Sequence, residues 1–286
     1  GPAARRRKRS FLLYLTKYHF TLNWGEVMSC YEEHYVTVKK YRDKYKTVVM
    51  NGYNPDREKS GNCASYDEKL KNNLSRSRQM VFELGYCNDW EYFVTMTLDK
   101  EKFDRYDLPV WYKSLSHWLR NYQRKTGQKI SYLLIPEQHK DGAWHIHGLL
   151  SGVPADRLES FQKGTPLYGS DYLNWPDYAK KYGFCSVGAV GNHEAVSKYI
   201  TKYITKDMAR LNSEVGAHLY YCSRGLKRSE TVTQDFIYTG YVNMSFDYEG
   251  KYCGVKWSDS MENAMRYYYC DNYPMLDMDE FDEIEV

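Results

Sequence analysis

Two periodicities of apolar and polar residues divide the central part of the chain into predicted helices and strands. Apolar side chains recur every three or four residues from 109 to 125, which predicts a helix that covers a sheet and ends before Gly127. A basic helix is expected at residues 66–84, ending near Gly85, and another helix at residues 192–207. Alternating or short apolar segments predict strands at residues 92–98, 130–136, 144–150, 184–190, 236–244 and 251–257.

The connection between the strands at 130–136 and 144–150 determines which side chains share a face. Lys140-Asp141-Gly142 has the composition of a hairpin turn. A two-residue loop would place Glu137 opposite Ile146, whereas a three-residue loop with Gly142 in the left-handed conformation places Glu137 opposite His145. We expect the three-residue loop.

His145 and His147 are two residues apart on an apolar strand, so both imidazoles project from one face. With Glu137 on the neighbouring strand they form a candidate three-ligand site for a divalent cation, and His139 is the alternative third ligand. Imidazole and carboxylate together favour Mn²⁺ or Mg²⁺, with Zn²⁺ as second choice. Two polar histidines on the wet face of a strand are the other interpretation of this motif.

Residues 198–206 repeat tyrosine and lysine every four positions. Helical spacing would put Tyr199 and Tyr203 one turn apart, with Lys202 and Lys206 beside them. A phenol is a poor nucleophile at neutral pH, so it needs a cation that favours phenolate and a metal at the attacked phosphate. The segment predicts attack on a DNA phosphodiester that leaves a 5′-phosphotyrosine link, although tyrosine pairs with this spacing also occur in packed cores.

The charge distribution fits an anionic partner. The net charge of +3 includes seven carboxylates in residues 271–286, so residues 1–270 carry +10. Five consecutive cations at residues 5–9 predict a basic arm that tracks DNA phosphates, and a nuclear-localisation signal or a plain solvated tail are the alternatives. The seven cysteines include no Cys-x-x-Cys pair, and no apolar run reaches the roughly 18 residues of a membrane span. We therefore expect a reduced, cytoplasmic protein without a membrane role.

Three motifs, in order along the chain, resemble those of HUH endonucleases. They are the strand at residues 93–98, Glu137 with His145-Ile146-His147, and Tyr199-x-x-Lys202-Tyr203-x-x-Lys206. Within that superfamily the chain looks like rolling-circle replication initiators of phages and plasmids, in the group related to filamentous-phage and microvirus initiators. The resemblance implies an α+β fold: a central antiparallel, RRM-like sheet flanked by helices, with N- and C-terminal extensions, the histidine strand in the middle and the tyrosine helix across it.

The resemblance also implies roles for individual residues. His145, His147 and Glu137 would bind the metal, Tyr199 or Tyr203 would attack single-stranded DNA, and Lys202 and Lys206 would assist at the phosphate or phenolate. Which tyrosine attacks first stays open. We expect DNA contacts from Thr95, Thr97, Arg224, Lys227 and Arg228. The predicted organisation is a basic arm and extension (1–65), a nuclease core (66–210), a C-terminal extension of the core (211–270) and an acidic tail (271–286).

The predicted function is metal-dependent, site-specific nicking and joining of single-stranded DNA that initiates rolling-circle replication, in a bacterial host cytoplasm. Its predicted partners are single-stranded origin DNA, which can include a hairpin, and a host helicase and polymerase. A separate helicase is expected because the sequence has no phosphate-binding Gly-x-x-x-x-Gly-Lys-Ser/Thr motif. A transposase or mobilisation relaxase is the nearest alternative, and a non-catalytic DNA-binding protein is an alternative of another class.

Overall fold

The computed structural model describes residues 32–51, 65–205, 219–239, 245–250 and 253–265. The chain divides into two units, one formed by residues 59–230 and the other by residues 1–58 together with 231–286. Each unit contains an antiparallel sheet and at least one helix. The predicted α+β class is therefore confirmed.

The strands and helices follow the predicted order along the central part of the chain. The strands are β1 (Glu32–Lys40), β2 (Tyr45–Asn51), β3 (Tyr92–Thr97), β4 (Ser131–Gln138), β5 (Trp144–Ser151), β6 (Glu159–Ser160), β7 (Leu173–Asn174), β8 (Cys185–Ala189), β9 (Tyr221–Cys222), β10 (Glu230–Thr239), β11 (Tyr248–Glu249) and β12 (Cys253–Ser258). The helices are α1 (Tyr66–Tyr86), α2 (Leu108–Thr126), α3 (Pro176–Lys181), α4 (His193–Ile200) and α5 (Met261–Met265), with 3₁₀ turns at Ala155–Arg157 and Thr201–Tyr203.

The unit of residues 59–230 is built on a seven-stranded sheet in the order β6-β7-β8-β3-β5-β4-β9. Successive side chains of a strand point to opposite faces, and apolar side chains are buried on both faces of this sheet. Met96 and Ile146 pack on one face with Leu115 of α2. Leu149 packs on the other with Ile200 of α4, in a cluster that includes residues of α1. Helices thus cover both faces, and β5, the histidine strand, lies between β3 and β4.

Different local signals mark where the two long helices begin and end. Helix α1 begins with a capping box between Ser65 and Glu68. It ends at Tyr86, near Gly85 as predicted, and Gly85 itself packs closely on α4: a Cβ there would lie 3.0 Å from the Ser197 hydroxyl. Helix α2 ends as predicted at Gly127, whose φ of 69° is the left-handed conformation that favours glycine.

The predicted helix at 192–207 is wrong in its length. Helix α4 covers His193–Ile200, and a 3₁₀ turn, Thr201–Tyr203, follows. At Ile204 the backbone has φ −80° and ψ 87°, which is not a helical conformation. The helical backbone therefore ends directly after Tyr203. Residues 206 and 207 lie outside the described residues.

The second unit contains a five-stranded sheet in the order β10-β1-β2-β12-β11. Val36, Val38, Val49 and Ala264 form its small core. The predicted strands at 236–244 and 251–257 correspond to β10 and β12, whereas β1 and β2 were not predicted, although alternation around Val36 and Val38 was a usable signal. The basic arm, residues 52–64, residues 240–244 and the acidic tail lie outside the described residues. None of the described helices has the length and apolarity to cross a membrane.

Gly148 permits the close approach of β5 to β4, and we predict that Gly148→Ala destabilises the protein. A Cβ at this position would overlap the Leu134 side chain and lie 2.9 Å from the backbone oxygen of Leu133. Overpacking of this kind costs about 1–3 kcal/mol, so the thermal midpoint should fall in a melting experiment. Gly191→Ala is the matched control, because its Cβ would meet no atom within 4 Å. Equal midpoints for the two variants would contradict the prediction.

Candidate functional site

The register of β5 brings the predicted site residues to one face of the sheet. Thr95 pairs with His147 and Thr97 with His145 across β3 and β5. On the other side Glu137 of β4 pairs with His145. The predicted alignment of Glu137 with His145 is therefore confirmed, and all five side chains project from the face opposite α2.

The turn between β4 and β5 has the predicted three-residue form. His139 N–H donates to the carbonyl of Ala143 at 2.9 Å, which leaves Lys140, Asp141 and Gly142 in the loop. Gly142 has a φ of 84°. A glycine in the left-handed conformation at this position is what sets the register of the hairpin.

Two threonine hydroxyls hold the two imidazoles. Thr95 Oγ1 lies 3.1 Å from His147 Nδ1, and Thr97 Oγ1 lies 3.2 Å from His145 Nδ1. When Nδ1–H donates to a hydroxyl, Nε2 carries the lone pair, which is the tautomer that binds a metal through Nε2. Thr95 and Thr97, predicted to contact DNA, are thus placed where they orient the histidines.

Both candidates for the third ligand lie diagonally across from a histidine. Glu137 Oε2 is 2.7 Å from His147 Nε2. The ring of His139 stacks on that of His145, with centroids 3.7 Å apart and planes within 10°. Within the part of the chain that the structure describes, no group of three or more His, Cys, Asp or Glu side chains has the arrangement of a metal site. The donor types of this cluster nevertheless fit a divalent cation.

Burial keeps the two histidines neutral. Burial, and after it the neighbouring His139 and His147, lower the pKa of His145 to about 4. The pKa of His147 is also lowered, because burial outweighs the hydrogen bond with Glu137. Neutral imidazole is the form that coordinates metals. The contact between His147 Nε2 and Glu137 Oε2 is a hydrogen bond, so it requires a proton on Nε2. A cation bound by both atoms would take the place of that proton.

The two tyrosines occupy unlike environments. Tyr203 is 7% exposed, and its ring stacks on His147 with centroids 3.9 Å apart and planes within 11°. Tyr199 is 48% exposed and packs its ring edge against Phe93. The Tyr203 hydroxyl donates to the Tyr199 hydroxyl at 3.3 Å. The sequence predicted two tyrosines close together, and the structure makes one of them accessible and the other buried.

The ammonium of Lys202 lies over the rings of both tyrosines. Its Nζ lies 3.6 Å from the centroid of the Tyr199 ring and 4.7 Å from that of Tyr203. A hydrogen bond with Lys202 lowers the pKa of Tyr199, and the hydrogen bond from Tyr203 is the second cause of this lowering. Burial, followed by the hydrogen bond to Tyr199, raises the pKa of Tyr203. Lys198 instead pairs with Glu194 at 2.6 Å, and Lys206 lies outside the described residues.

Arg78 is a site residue that sequence analysis missed. Its Nε and a terminal nitrogen donate to the carbonyl of Ile204 at 3.0 and 2.8 Å. Two charged donors on one carbonyl hold the end of the turn that carries Tyr203. The sequence marks Arg78 only as one of several cations on a basic helix, because its partner lies 126 residues away.

The predicted DNA-contact loop is anchored to α1. Asn88 accepts from the Lys227 N–H and donates to the Lys227 carbonyl, at 2.8 and 2.9 Å. Arg228 lies 3.3 Å from the buried carboxylate of Glu83, and this ion pair links the loop to α1. Arg224 is exposed in the turn before Gly225. DNA contact by these three cations stays a prediction.

Arg78→Met should loosen the 3₁₀ turn at Thr201–Tyr203, called here the tyrosine turn. Removal of the guanidinium leaves the Ile204 carbonyl without its two donors, and a hydrogen bond to a charged group contributes about 1.5–3 kcal/mol. We expect faster amide hydrogen exchange in residues 199–204. Arg76→Met, an exposed cation on the same helix, is the control. Unchanged exchange in Arg78→Met would contradict the positioning role of Arg78.

Residues 91–208 match the family model described as replication-associated protein ORF2/G2P. No curated protein and no solved structure matches the chain. The matched segment contains β3, the histidine hairpin and the tyrosine turn, which are the elements that form the candidate site. Over this segment the chain is similar to a replication-associated protein family.

Proposed function

We propose that this protein is a metal-dependent endonuclease and strand transferase that nicks single-stranded DNA at a replication origin and rejoins it. The proposal depends most on one observation: the ring of Tyr203 lies on His147, and its hydroxyl reaches Tyr199. A phenol accessible to DNA and a cluster of metal-ligand side chains are therefore part of one face. The match of residues 91–208 to a replication-associated family agrees with this chemistry.

Tyr199 is the proposed first nucleophile. A phosphodiester can approach its exposed hydroxyl, whereas Tyr203 is covered by the histidine ring and the surrounding apolar side chains. The ammonium of Lys202 favours the phenolate of Tyr199, which is the reactive form. Tyr203 stays protonated in this arrangement and can donate a hydrogen bond to that phenolate.

The proposed metal ligands are His145, His147 and Glu137, with His139 as the alternative to Glu137. Mn²⁺ or Mg²⁺ bound by these side chains would neutralise charge on the attacked phosphate. Thr95 and Thr97 orient the two imidazoles for this role through their contacts with Nδ1.

The proposed reaction exchanges one phosphoester bond for another. Oη of Tyr199 loses its proton and attacks phosphorus, the bond from phosphorus to the 3′ oxygen breaks, and that oxygen takes up a proton. The products are a 5′-phosphotyrosine link and a free 3′ hydroxyl. Attack of a 3′ hydroxyl on the phosphotyrosine reverses the step, so no external energy source is needed for rejoining.

Tyr203 is the proposed second acceptor. Its hydroxyl is already beside that of Tyr199, so a second strand could be transferred to it while Tyr199 holds the first product. For that step the ring of Tyr203 has to leave His147. Lys206 and the cations Arg224, Lys227 and Arg228 are proposed phosphate contacts.

The wider setting is part of the same proposal. Single-stranded origin DNA, with or without a hairpin, is the proposed substrate, and a host helicase and polymerase are the proposed partners. Among the described residues, Cys185, Cys222 and Cys253 are free thiols, which agrees with the proposed bacterial cytoplasm. A transposase or relaxase would use the same residues, and dependence on a replication origin in a replication assay separates these possibilities.

Tyrosine variants test the nucleophile. With Mn²⁺ and a 3′-labelled pool of single-stranded DNA, we expect Tyr199→Phe to lower covalent adduct formation more than about 1,000-fold, because the attacking oxygen is removed. Tyr203→Phe should keep a measurable first adduct, detected by gel and mapped by mass spectrometry to Tyr199. An adduct mapped to Tyr203 in the wild type would overturn the order of attack. Nicking retained by the double variant would eliminate the tyrosine mechanism.

Lysine variants test the activation of Tyr199. The folded-state pKa of Tyr199 is lowered by Lys202, so phenolate is present at lower pH than for an ordinary tyrosine. Lys202→Gln should therefore shift the rise of adduct formation with pH to higher pH and reduce the rate at neutral pH. Lys198→Gln is the matched control, because its ammonium pairs with Glu194. Superimposable pH profiles for Lys202→Gln and wild type would exclude this role for Lys202.

A further inference from the structure

A cavity with a volume of about 600 Å³ opens beside the histidines, at the end of β3. Its walls come from the end of β3, from β6 and the segment after it, from Asn174 of β7, and from the residues just before β8. Thr97 lines it, and the hydroxyl of Thr97 lies 3.2 Å from His145 Nδ1. Thr97 thus belongs both to the lining of the cavity and to the contacts of a proposed metal ligand. Its volume is in the range of small-molecule sites.

An aromatic pair forms one wall of the cavity. Phe161 is buried and supports Phe184, with ring centroids 5.5 Å apart and planes within 24°. Phe184 is 39% exposed and immediately precedes β8. A phenyl ring that is supported on one side and accessible on the other is a stacking surface for a planar group.

The polar groups of the cavity match those of a nucleobase edge. Asn174 donates to Glu159 at 3.4 Å, which leaves its carbonyl oxygen as an acceptor. The side-chain amide of Gln162 makes no hydrogen bond with any described residue and supplies a donor and an acceptor. Amides and carboxylates of this kind read base edges, which carry donors and acceptors side by side.

The charges of the cavity favour a base over a phosphate. The lining includes two carboxylates, Asp99 and Glu159, and one ammonium, Lys102, which is itself 3.4 Å from Asp99. A phosphate group would meet a net negative wall, whereas a neutral base would meet hydrogen-bond partners and an aromatic face. The cationic groups for the DNA backbone lie elsewhere, at Lys202 and its surroundings.

We propose that this cavity binds one unstacked base of the single-stranded substrate, beside the attacked phosphate, with Phe184 as the stacking platform and Gln162 and Asn174 as the groups that select the base. This inference rests on the proposed function, because it assigns to the same face the selection of the sequence that is nicked. The cavity would supply site specificity that the metal ligands and tyrosines cannot.

A binding experiment without cleavage tests the cavity. The full-length chain with Tyr199→Phe is titrated with two fluorescent probes of equal length and charge: single-stranded DNA of random sequence and an abasic strand. Loss of one base–aromatic stack weakens binding by about fivefold or more. We expect Phe184→Ala to cause that loss for the base-containing probe and none for the abasic probe. Tyr168→Ala, an exposed aromatic in the same part of the chain that does not line the cavity, is the control.

A second variant and a cross-link complete the test. Gln162→Ala, at an exposed position, should reduce the sequence preference among strands selected from the random pool. A pool that contains 5-iododeoxyuridine should cross-link to Phe184 or Phe161 under ultraviolet light. Equal affinities of Phe184→Ala and its parent, or cross-links confined to other segments, would overturn the cavity assignment.

The outcomes separate the two proposals. If wild-type protein with Mn²⁺ forms the tyrosine adduct while Phe184→Ala binds both probes as its parent does, the base site is wrong and the proposed function stands. If Phe184→Ala loses affinity for bases but the wild type forms no adduct, the base site stands and the proposed function fails.

Discussion

The register of β5 against β3 and β4 is the constraint on which the rest of the site depends. Side chains alternate across a sheet, so a slip of one residue would move His145 and His147 to the face that α2 covers. Left-handed Gly142 sets the hairpin register. Ile146 and Leu149 bury opposite faces of β5, so a slipped register would expose apolar groups on one side and bury imidazoles on the other.

The tyrosine segment is held to the same face by contacts from two directions. Ile200 and Ile204 pack into the core on the sheet, and Ser197 meets α1 at Gly85. Arg78 then binds the carbonyl of Ile204 after the helix has ended. Because α4 ends before Tyr203, the two phenols do not form a uniform row on one helix. Their unequal burial, and with it the proposed order of attack, is a consequence of packing.

The electrostatics of the site follow from how its groups are buried. Desolvation keeps both histidines neutral, so the strand presents no repelling charge to a cation. Lys202 is the cation beside the tyrosines, and it favours the reactive form of the exposed one. Along the same face the cavity at Phe184 has an aromatic wall and more carboxylates than cations. Groups suited to phosphate and groups suited to a base are thus adjacent but separate.

The sequence by itself determined the features that are local. These include the amphipathic helix before Gly127, the pairing of His145 and His147 on one strand face, and the three-residue loop that aligns Glu137 with His145, because each depends on spacing or on one turn. Only the tertiary structure decided where α4 ends, what Gly85 packs against, which tyrosine is buried, and that β1 and β2 join β10 and β12 in one sheet. Those features depend on contacts between residues far apart in the chain, such as Arg78 with Ile204, and no local pattern encodes them.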